Sequence, residues 1–98
     1  MKVIFSKLAK LELEDAIAYY ELEHSGLGIN FKQEVLKNVE RIKKFPLAAT
    51  LEREEIRKSL LHKFPYKILY SSETDHIFII ALAHQHRKPD YWVERNIR

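Results

Sequence analysis

The sequence has no cysteine, only two glycines and no long apolar run among its 98 residues. Without cysteine the chain cannot form a disulfide, a thiolate metal site or a thiol nucleophile. Gly26 and Gly28 do not follow a strand, so they do not form the glycine-rich loop that binds phosphates in nucleotide-binding proteins. No apolar stretch approaches the roughly 20 residues of a membrane-spanning helix, and the amino-terminal residues lack the apolar core of a signal peptide. We therefore expect a cytoplasmic protein with no membrane partner.

The composition is that of a folded globular protein, with 46% hydrophobic and 32% charged residues. The length predicts one domain over residues 1–98. The net charge of +3 comes from residues 53–98, because eight basic and eight acidic side chains cancel in residues 1–52. This distribution favours a basic surface that binds phosphates or an acidic partner. A solvated surface of mixed charge is the alternative.

The first half of the chain has the pattern of a strand followed by a helical hairpin. Lys2–Phe5 is a short β-type run, and residues 8–45 carry two apolar stripes at helical spacing. Gly26 and Gly28 supply the turn between the two helices. We expect Asn30 to cap the second helix and Pro46 to end it. The two stripes are Leu13, Ala16, Ile17 and Tyr20, then Phe31, Val35, Val39, Ile42 and Phe45.

The second half has the pattern of an antiparallel three-stranded meander, which makes the predicted fold class α+β. The hairpin is the only element able to cover one face of such a sheet, so we expect the other face to be partly open, with Lys67 on it. Pro89 is suited to the first turn of a short C-terminal helix over Asp90–Arg95. The strand runs are Ile56–Leu61, Tyr66–Ser71 and Ile77–Ala83.

His84 and His86 are two residues apart, so their side chains point the same way if the strand continues. Two imidazoles without a third ligand do not make a metal site, and we predict no metal and no small-molecule cofactor. His84 is better suited to act as a general base or a phosphate donor, because imidazole titrates near neutral pH. A histidine that caps the end of a strand is the structural alternative.

Cationic and aromatic side chains are also predicted around the open face of the sheet. Together they can hold a nucleic-acid backbone and stack on a base. For the aromatic members, packing in the core is the competing interpretation. The set consists of Arg57, Lys67, His84, Arg87, Tyr91 and Trp92.

Two ordered sets of residues resemble the RelE/ParE superfamily of toxins, from about residue 3 to residue 95. The first set lies in the predicted hairpin and the second in the strands and C-terminal segment. The first is Glu14-Asp15-Ala16, Tyr19-Tyr20-Glu21, Gly26-Leu27-Gly28-x-x-Phe31, Glu34-Val35, Ile42 and Pro46. The second is Ile56-Arg57, the run Lys63 to Tyr70, and Ala83-His84-x-x-Arg87-x-Pro89-x-Tyr91-Trp92-x-x-Arg95.

The resemblance implies the toxin of a type II toxin–antitoxin module, a class often described as plasmid stabilisation proteins. It implies a strand, a helical hairpin, an antiparallel meander and a C-terminal tail or helix. A cognate antitoxin would wrap the toxin through a segment that folds on binding, in a hetero-oligomer. The RelE-like branch cleaves messenger RNA on the ribosome, whereas the ParE-like branch poisons DNA gyrase and needs no hydrolytic site.

In the RelE-like branch, basic residues on the sheet and a C-terminal tyrosine position the RNA and assist proton transfer. By resemblance Lys67 is the basic strand residue, Arg87 follows the last strand, and Tyr91 is the tyrosine. His84 would serve as the base. These four residues are the catalytic candidates only if the chain is RelE-like.

Residues 84–92 are more similar to the ParE-type ending, and the basic cluster of the RNase branch is reduced, although many ParE-type chains have arginine in place of His86. We therefore predict a ParE-like toxin that poisons DNA gyrase. A RelE-like endoribonuclease is the alternative, and a non-toxic binding or regulatory member is a further one, so whether the chain is an enzyme stays open. The target-binding surface predicted for the ParE-like case is Arg57, Lys67, Arg87, Tyr91 and Trp92.

Overall fold

The computed structural model describes residues 1–95, in which two helices pack on one face of a five-stranded sheet. The sheet order is β1-β5-β4-β3-β2, with β1 parallel to β5 and the other pairs antiparallel. This α+β layout of strand, helical hairpin and meander confirms the predicted fold class. The elements are β1 (Lys2–Phe5), α1 (Lys7–Glu23), α2 (Leu27–Lys44), β2 (Thr50–Arg53), β3 (Ile56–Leu60), β4 (Tyr66–Ser72) and β5 (His76–His84).

The turn between the helices is stabilised by a carboxylate from α1. Gly26 adopts the left-handed conformation, with φ of 89°, and caps α2. Glu21 accepts hydrogen bonds from the backbone N–H groups of Gly26 and Gly28, at 3.0 and 3.1 Å. The carboxylate thus satisfies N–H groups that have no partner inside the helix. The predicted cap at Asn30 is wrong, because the observed cap is Gly26, four residues earlier, and α2 begins at Leu27.

The main core lies between the hairpin and the sheet. The hairpin contributes the fully buried Phe31 and Val35, which pack with the fully buried Ile68 and Tyr70 of β4. Asn38 is also fully buried; its amide donates to the carbonyl of Leu60 at 3.1 Å, and its Oδ1 accepts from the hydroxyl of Ser59. These polar contacts fix α2 against β3, because a buried amide without partners would be costly.

The other face of the sheet is covered, contrary to the expectation of a partly open face. Trp92 is 5% exposed and packs with the apolar side chains that β3, β4 and β5 present away from the helices. Residues 90–95 reach this face through consecutive turns in place of the expected short helix. Asp90 has φ of 64°, which interrupts a right-handed helical path after Pro89.

Strand β2 was not predicted from the sequence. Its four residues, TLER, are mostly exposed and pair only with β3, at the edge of the sheet. No helix of residues 1–95 is long and apolar enough to cross a membrane.

Candidate functional site

Glu12 on α1 joins the first helix to the C-terminal segment. Its carboxylate accepts from the Tyr91 hydroxyl at 2.6 Å and from the two terminal nitrogens of Arg95 at 2.7 and 3.2 Å. It also accepts from the backbone N–H of Leu82 at 3.1 Å. We name Glu12, Tyr91 and Arg95 the C-terminal clamp. These charge-assisted contacts fix residues 91–95 at one place on the sheet.

The clamp lies where β5 extends beyond its neighbour β1, which pairs only as far as Ile79. The next carbonyl, that of Ile80, accepts from Ser6 Oγ at 3.0 Å and from Arg95 Nη1 at 2.8 Å. An unpaired strand edge would leave backbone groups without partners. Side chains from α1's N-cap and from the C-terminal segment therefore cap this edge.

The clamp also sets the protonation state of the two C-terminal side chains. The pKa of Tyr91 is raised well above the ordinary tyrosine value. The causes are burial first, and then the carboxylate of Glu12, which accepts the hydrogen bond of the Tyr91 hydroxyl. Burial lowers the pKa of Arg95, but the hydrogen bond to Glu12, the negative charge of Glu12 and the contact with Tyr91 together outweigh burial and leave that pKa raised. Tyr91 is therefore a neutral hydroxyl and Arg95 a cation at physiological pH.

Arg87 is an exposed cation of this region and lies next to the exposed Lys88. Its guanidinium carbon lies 4.0 Å from the centroid of the Tyr91 ring, and that of Arg95 lies 5.0 Å from the same centroid. Stacking on Tyr91 holds the Arg87 side chain without neutralising its charge. Asp90 pairs with Arg53 of β2 at 3.2 Å, which ties the segment to the edge strand as well.

Lys67 lies on the face of the sheet away from the helices, because its partner across the strands, Ala83, packs with Trp92. Its Nζ is 3.4 Å from a carboxylate oxygen of Glu52, and Lys58 Nζ is 3.4 Å from the other oxygen. The Lys67 and Glu52 side chains are only 21% and 16% exposed. Lys67 is thus a paired and half-buried cation.

His84 lies on the helix side of the sheet. Its partner across the strands is Tyr66, which packs against the main core, and the two rings are 5.1 Å apart. Its Nδ1 accepts from the backbone N–H of His86 at 3.1 Å, and the two imidazole rings are 5.2 Å apart. In residues 1–95, no group of three or more His, Cys, Asp and Glu side chains is placed to hold a metal ion.

The remaining two predicted surface residues have structural contacts. Arg57 donates to the carbonyl of Ala49 at 2.6 Å and so holds the loop that follows α2. Trp92 is buried, so its ring packs the C-terminal segment against the sheet and is not accessible to a partner. This burial favours the core interpretation of Trp92 over its predicted place on the target-binding surface.

The structure therefore brings Arg87 and Tyr91 together but separates Lys67 from His84. Lys67 pairs with Ala83, and His84 is the next residue after Ala83 on β5, so the side chain of His84 points to the opposite face of the sheet. Sequence reasoning missed Glu12 as a site residue, because it stands among other acids of α1. Nothing local in the sequence links it to a tyrosine 79 residues and an arginine 83 residues further on.

Residues 3–89 match the family model described as ParE toxin of type II toxin-antitoxin system, parDE. The chain belongs to this family. The resemblance found in the sequence, and its leaning toward ParE, are thereby confirmed. The family match ends just before the segment that carries Tyr91 and Arg95, so the clamp joins a matched helix to residues beyond the match.

A solved structure with the ParE-family fold is similar to this chain. It is described as the chromosomal ParDE TA system from P. aeruginosa, with a TM-score of 0.76 and 15% sequence identity. The similarity covers 86% of this chain and 95% of that chain. The sequence has no significant match among curated proteins.

Proposed function

We propose that this ParE-family chain is a toxin that arrests growth by binding DNA gyrase, and that a cognate antitoxin neutralises it. The main observation in favour of gyrase as the target is the arrangement of the four candidate catalytic side chains, Lys67, His84, Arg87 and Tyr91. They do not meet at one reacting centre, which a gyrase-binding toxin does not need. Because DNA gyrase and the antitoxin are cytoplasmic proteins, the proposed function would place this chain in the cytoplasm.

Cleavage of RNA needs a base and an acid within hydrogen-bond reach of the reacting atoms. The Tyr91 hydroxyl already donates to Glu12, and its raised pKa keeps it from becoming a phenolate. Lys67 is paired with Glu52, and His84 lies on the other face of the sheet. These contacts favour a surface that binds a protein over a site that cleaves RNA.

The surface that we propose for the target is centred on Arg87. This side chain is exposed and stacked on Tyr91, and the C-terminal clamp fixes Tyr91 in turn. A cation whose position is fixed before binding loses little side-chain entropy when it meets an acidic partner. The basic character of residues 53–98 is also suited to an acidic segment of an antitoxin.

The test is to induce the chain alone in a bacterial host that carries a DNA-damage reporter, while growth is followed. We expect arrest with a strong damage signal, and loss of both when the cognate antitoxin is co-expressed. Purified chain should inhibit supercoiling by gyrase in the absence of ribosomes. Arrest with a silent reporter and shortened transcripts would overturn the proposal in favour of RNA cleavage. Undisturbed growth with intact gyrase activity would leave a binding role only.

A further inference from the structure

A cleft lined by aromatic rings lies where the end of α1 meets the start of β4 and the end of β5. It has a volume of about 400 Å³, and its lining includes Tyr19, Tyr20, Glu23, Tyr66 and His84. We name it the tyrosine cleft. The rings of Tyr19 and Tyr20 are 5.2 Å apart, and those of Tyr20 and Tyr66 are 6.1 Å apart, both edge to face. Tyr20 is held from behind by Phe31 and Phe64 of the core, at 5.1 and 4.9 Å.

The hydroxyls of Tyr19, Tyr20 and Tyr66 have no hydrogen-bond partner within residues 1–95. The other two tyrosines differ, since Tyr70 donates to the carbonyl of Pro46 at 2.7 Å and Tyr91 donates to Glu12. Half-buried tyrosine hydroxyls usually find a partner. Tyr20 and Tyr66 are half-buried and Tyr19 is exposed, so the three hydroxyls of this cleft offer hydrogen-bond acceptors to a ligand.

The charge around the tyrosine cleft is negative. Glu23 forms no ion pair with any of the described residues, although it is exposed at the rim. Burial raises the pKa of Tyr20 above its ordinary value, and Tyr66, Tyr19 and the Glu23 carboxylate raise it further, so these groups face one another. The last turn of α1, which borders the cleft, carries Glu21 and Glu23 and no basic residue. An anion is repelled here and a cation is attracted.

The chemistry distinguishes between kinds of cation. A quaternary ammonium has no N–H to donate, so the three hydroxyls and the carboxylate would accept no hydrogen bond from it. A guanidinium has five N–H donors in one plane, stacks on aromatic faces and can bind a carboxylate through two hydrogen bonds. An ammonium has a smaller, more strongly hydrated charge and stacks less well. The lining of the tyrosine cleft therefore matches a guanidinium best.

We propose that the tyrosine cleft binds a guanidinium group, presented as the side chain of an arginine on a partner polypeptide. Glu23 accepts the N–H groups of one edge, the hydroxyls of Tyr20 and Tyr66 accept others, and the exposed ring of Tyr19 stacks on the plane. A free amino acid is the less suitable source, because its α-carboxylate would enter the negative field of α1. The cleft would bind this group whether or not the chain acts on gyrase.

The proposal is tested by NMR titration of the full-length chain with the N-acetyl amides of arginine, lysine and norleucine. We expect saturable shifts at Tyr19, Tyr20 and Tyr66 with the arginine amide, a several-fold weaker response with lysine and none with norleucine. Free arginine should bind more weakly than its amide. Tighter binding of free arginine would overturn the assignment to a polypeptide. Equal responses to lysine and arginine would overturn the choice of guanidinium.

Variants of two carboxylates on α1 provide the matched comparison. Glu23→Gln should weaken binding of the arginine amide about 3- to 10-fold, because it removes a charged acceptor. Glu14→Gln should leave binding unchanged, since Glu14 is exposed and lies nine residues, or about two and a half helical turns, from Glu23. Both positions are exposed, so both variants should fold. An equal effect of the two changes would overturn the proposed site.

Discussion

The hydroxyl of Tyr91 donates a 2.6 Å hydrogen bond to the carboxylate of Glu12, which lies 79 residues earlier in the chain. The same carboxylate pairs with Arg95 and accepts from the N–H of Leu82 on β5. One acidic side chain therefore joins the first helix, an edge of the sheet and the C-terminal segment. Because Arg87 is stacked on Tyr91, this contact also fixes the cation that we propose for target binding.

Replacing Glu12 with glutamine should lower the free energy of unfolding by about 2–3 kcal/mol, because charged hydrogen bonds are lost and the Arg95 cation is left half-buried without its partner. The measurement is chemical denaturation at neutral pH. Glu14→Gln is the control, since Glu14 is exposed on the same helix. Equal stabilities of the two variants would contradict the role assigned to the C-terminal clamp.

Stability should also fall at alkaline pH through Tyr91. Because its pKa is raised in the folded chain, the hydroxyl contributes stability that is fully present below the unfolded value, about 10, and that is lost as the pH rises toward the folded value. Tyr91→Phe removes this contribution. The unfolding free energy measured from about pH 8 to pH 11 should therefore decline less steeply in the variant. Parallel curves for the two proteins would refute the prediction.

Gly28→Ala should destabilise the hairpin by about 2–3 kcal/mol, because overpacking of a close helix contact is costly. A Cβ at Gly28 would lie 2.7 Å from the backbone oxygen of Ile17. Helix propensity alone predicts the opposite sign, since alanine is the better helix former. Thermal unfolding of the variant decides between these two signs.

Gly26→Ala provides the comparison at the neighbouring glycine. No atom lies within 4 Å of a Cβ at this position, so only the positive φ of 89° opposes the change. We expect a loss of about 1 kcal/mol, and a smaller loss for Gly26→Asn, since asparagine tolerates this conformation better. A larger loss for Gly26→Ala than for Gly28→Ala would show that the helix contact is looser than described.

Arg87→Glu should abolish growth arrest in the induction experiment while leaving the fold intact. The reversed charge removes the exposed cation of the proposed target surface and its stacking on Tyr91. Lys88→Glu is the matched control, because it makes the same charge change at an adjacent exposed residue with no ring contact among residues 1–95. Full toxicity of Arg87→Glu, with normal expression and melting temperature, would count against this surface.

The sequence was sufficient for the parts of the fold that depend on local periodicity. The stripe of Phe31, Val35 and Ile42 has helical spacing, and these side chains are buried as predicted. The β-type runs that became β3, β4 and β5 were also recognised, because apolar and β-branched residues cluster there. Strand β2 was missed because its four residues are largely polar and become a strand only by pairing with β3.

The candidate site was less predictable because it depends on contacts between distant parts of the chain. The acidic character of α1 was visible, yet nothing marked Glu12 as the one acid whose partner is Arg95. Trp92 could be assigned to a surface or to a core, and only the path of residues 90–95 decides for the core. Lys67 and His84 were both predicted near the open face and grouped again by resemblance, whereas strand alternation places them on opposite faces.

The order of strands in the sheet constrains when the chain can acquire its shape during synthesis. β1 is made first, but its neighbour is β5, and Lys2 pairs with His76. A ribosome must therefore complete both helices and all other strands before the first strand has a partner. Until β5 is available, the apolar side chains of β1 and of the sheet-facing side of the hairpin cannot make all of their native packing contacts. The native sheet and the segment that bears Arg87 can therefore form only after β5 has been synthesised.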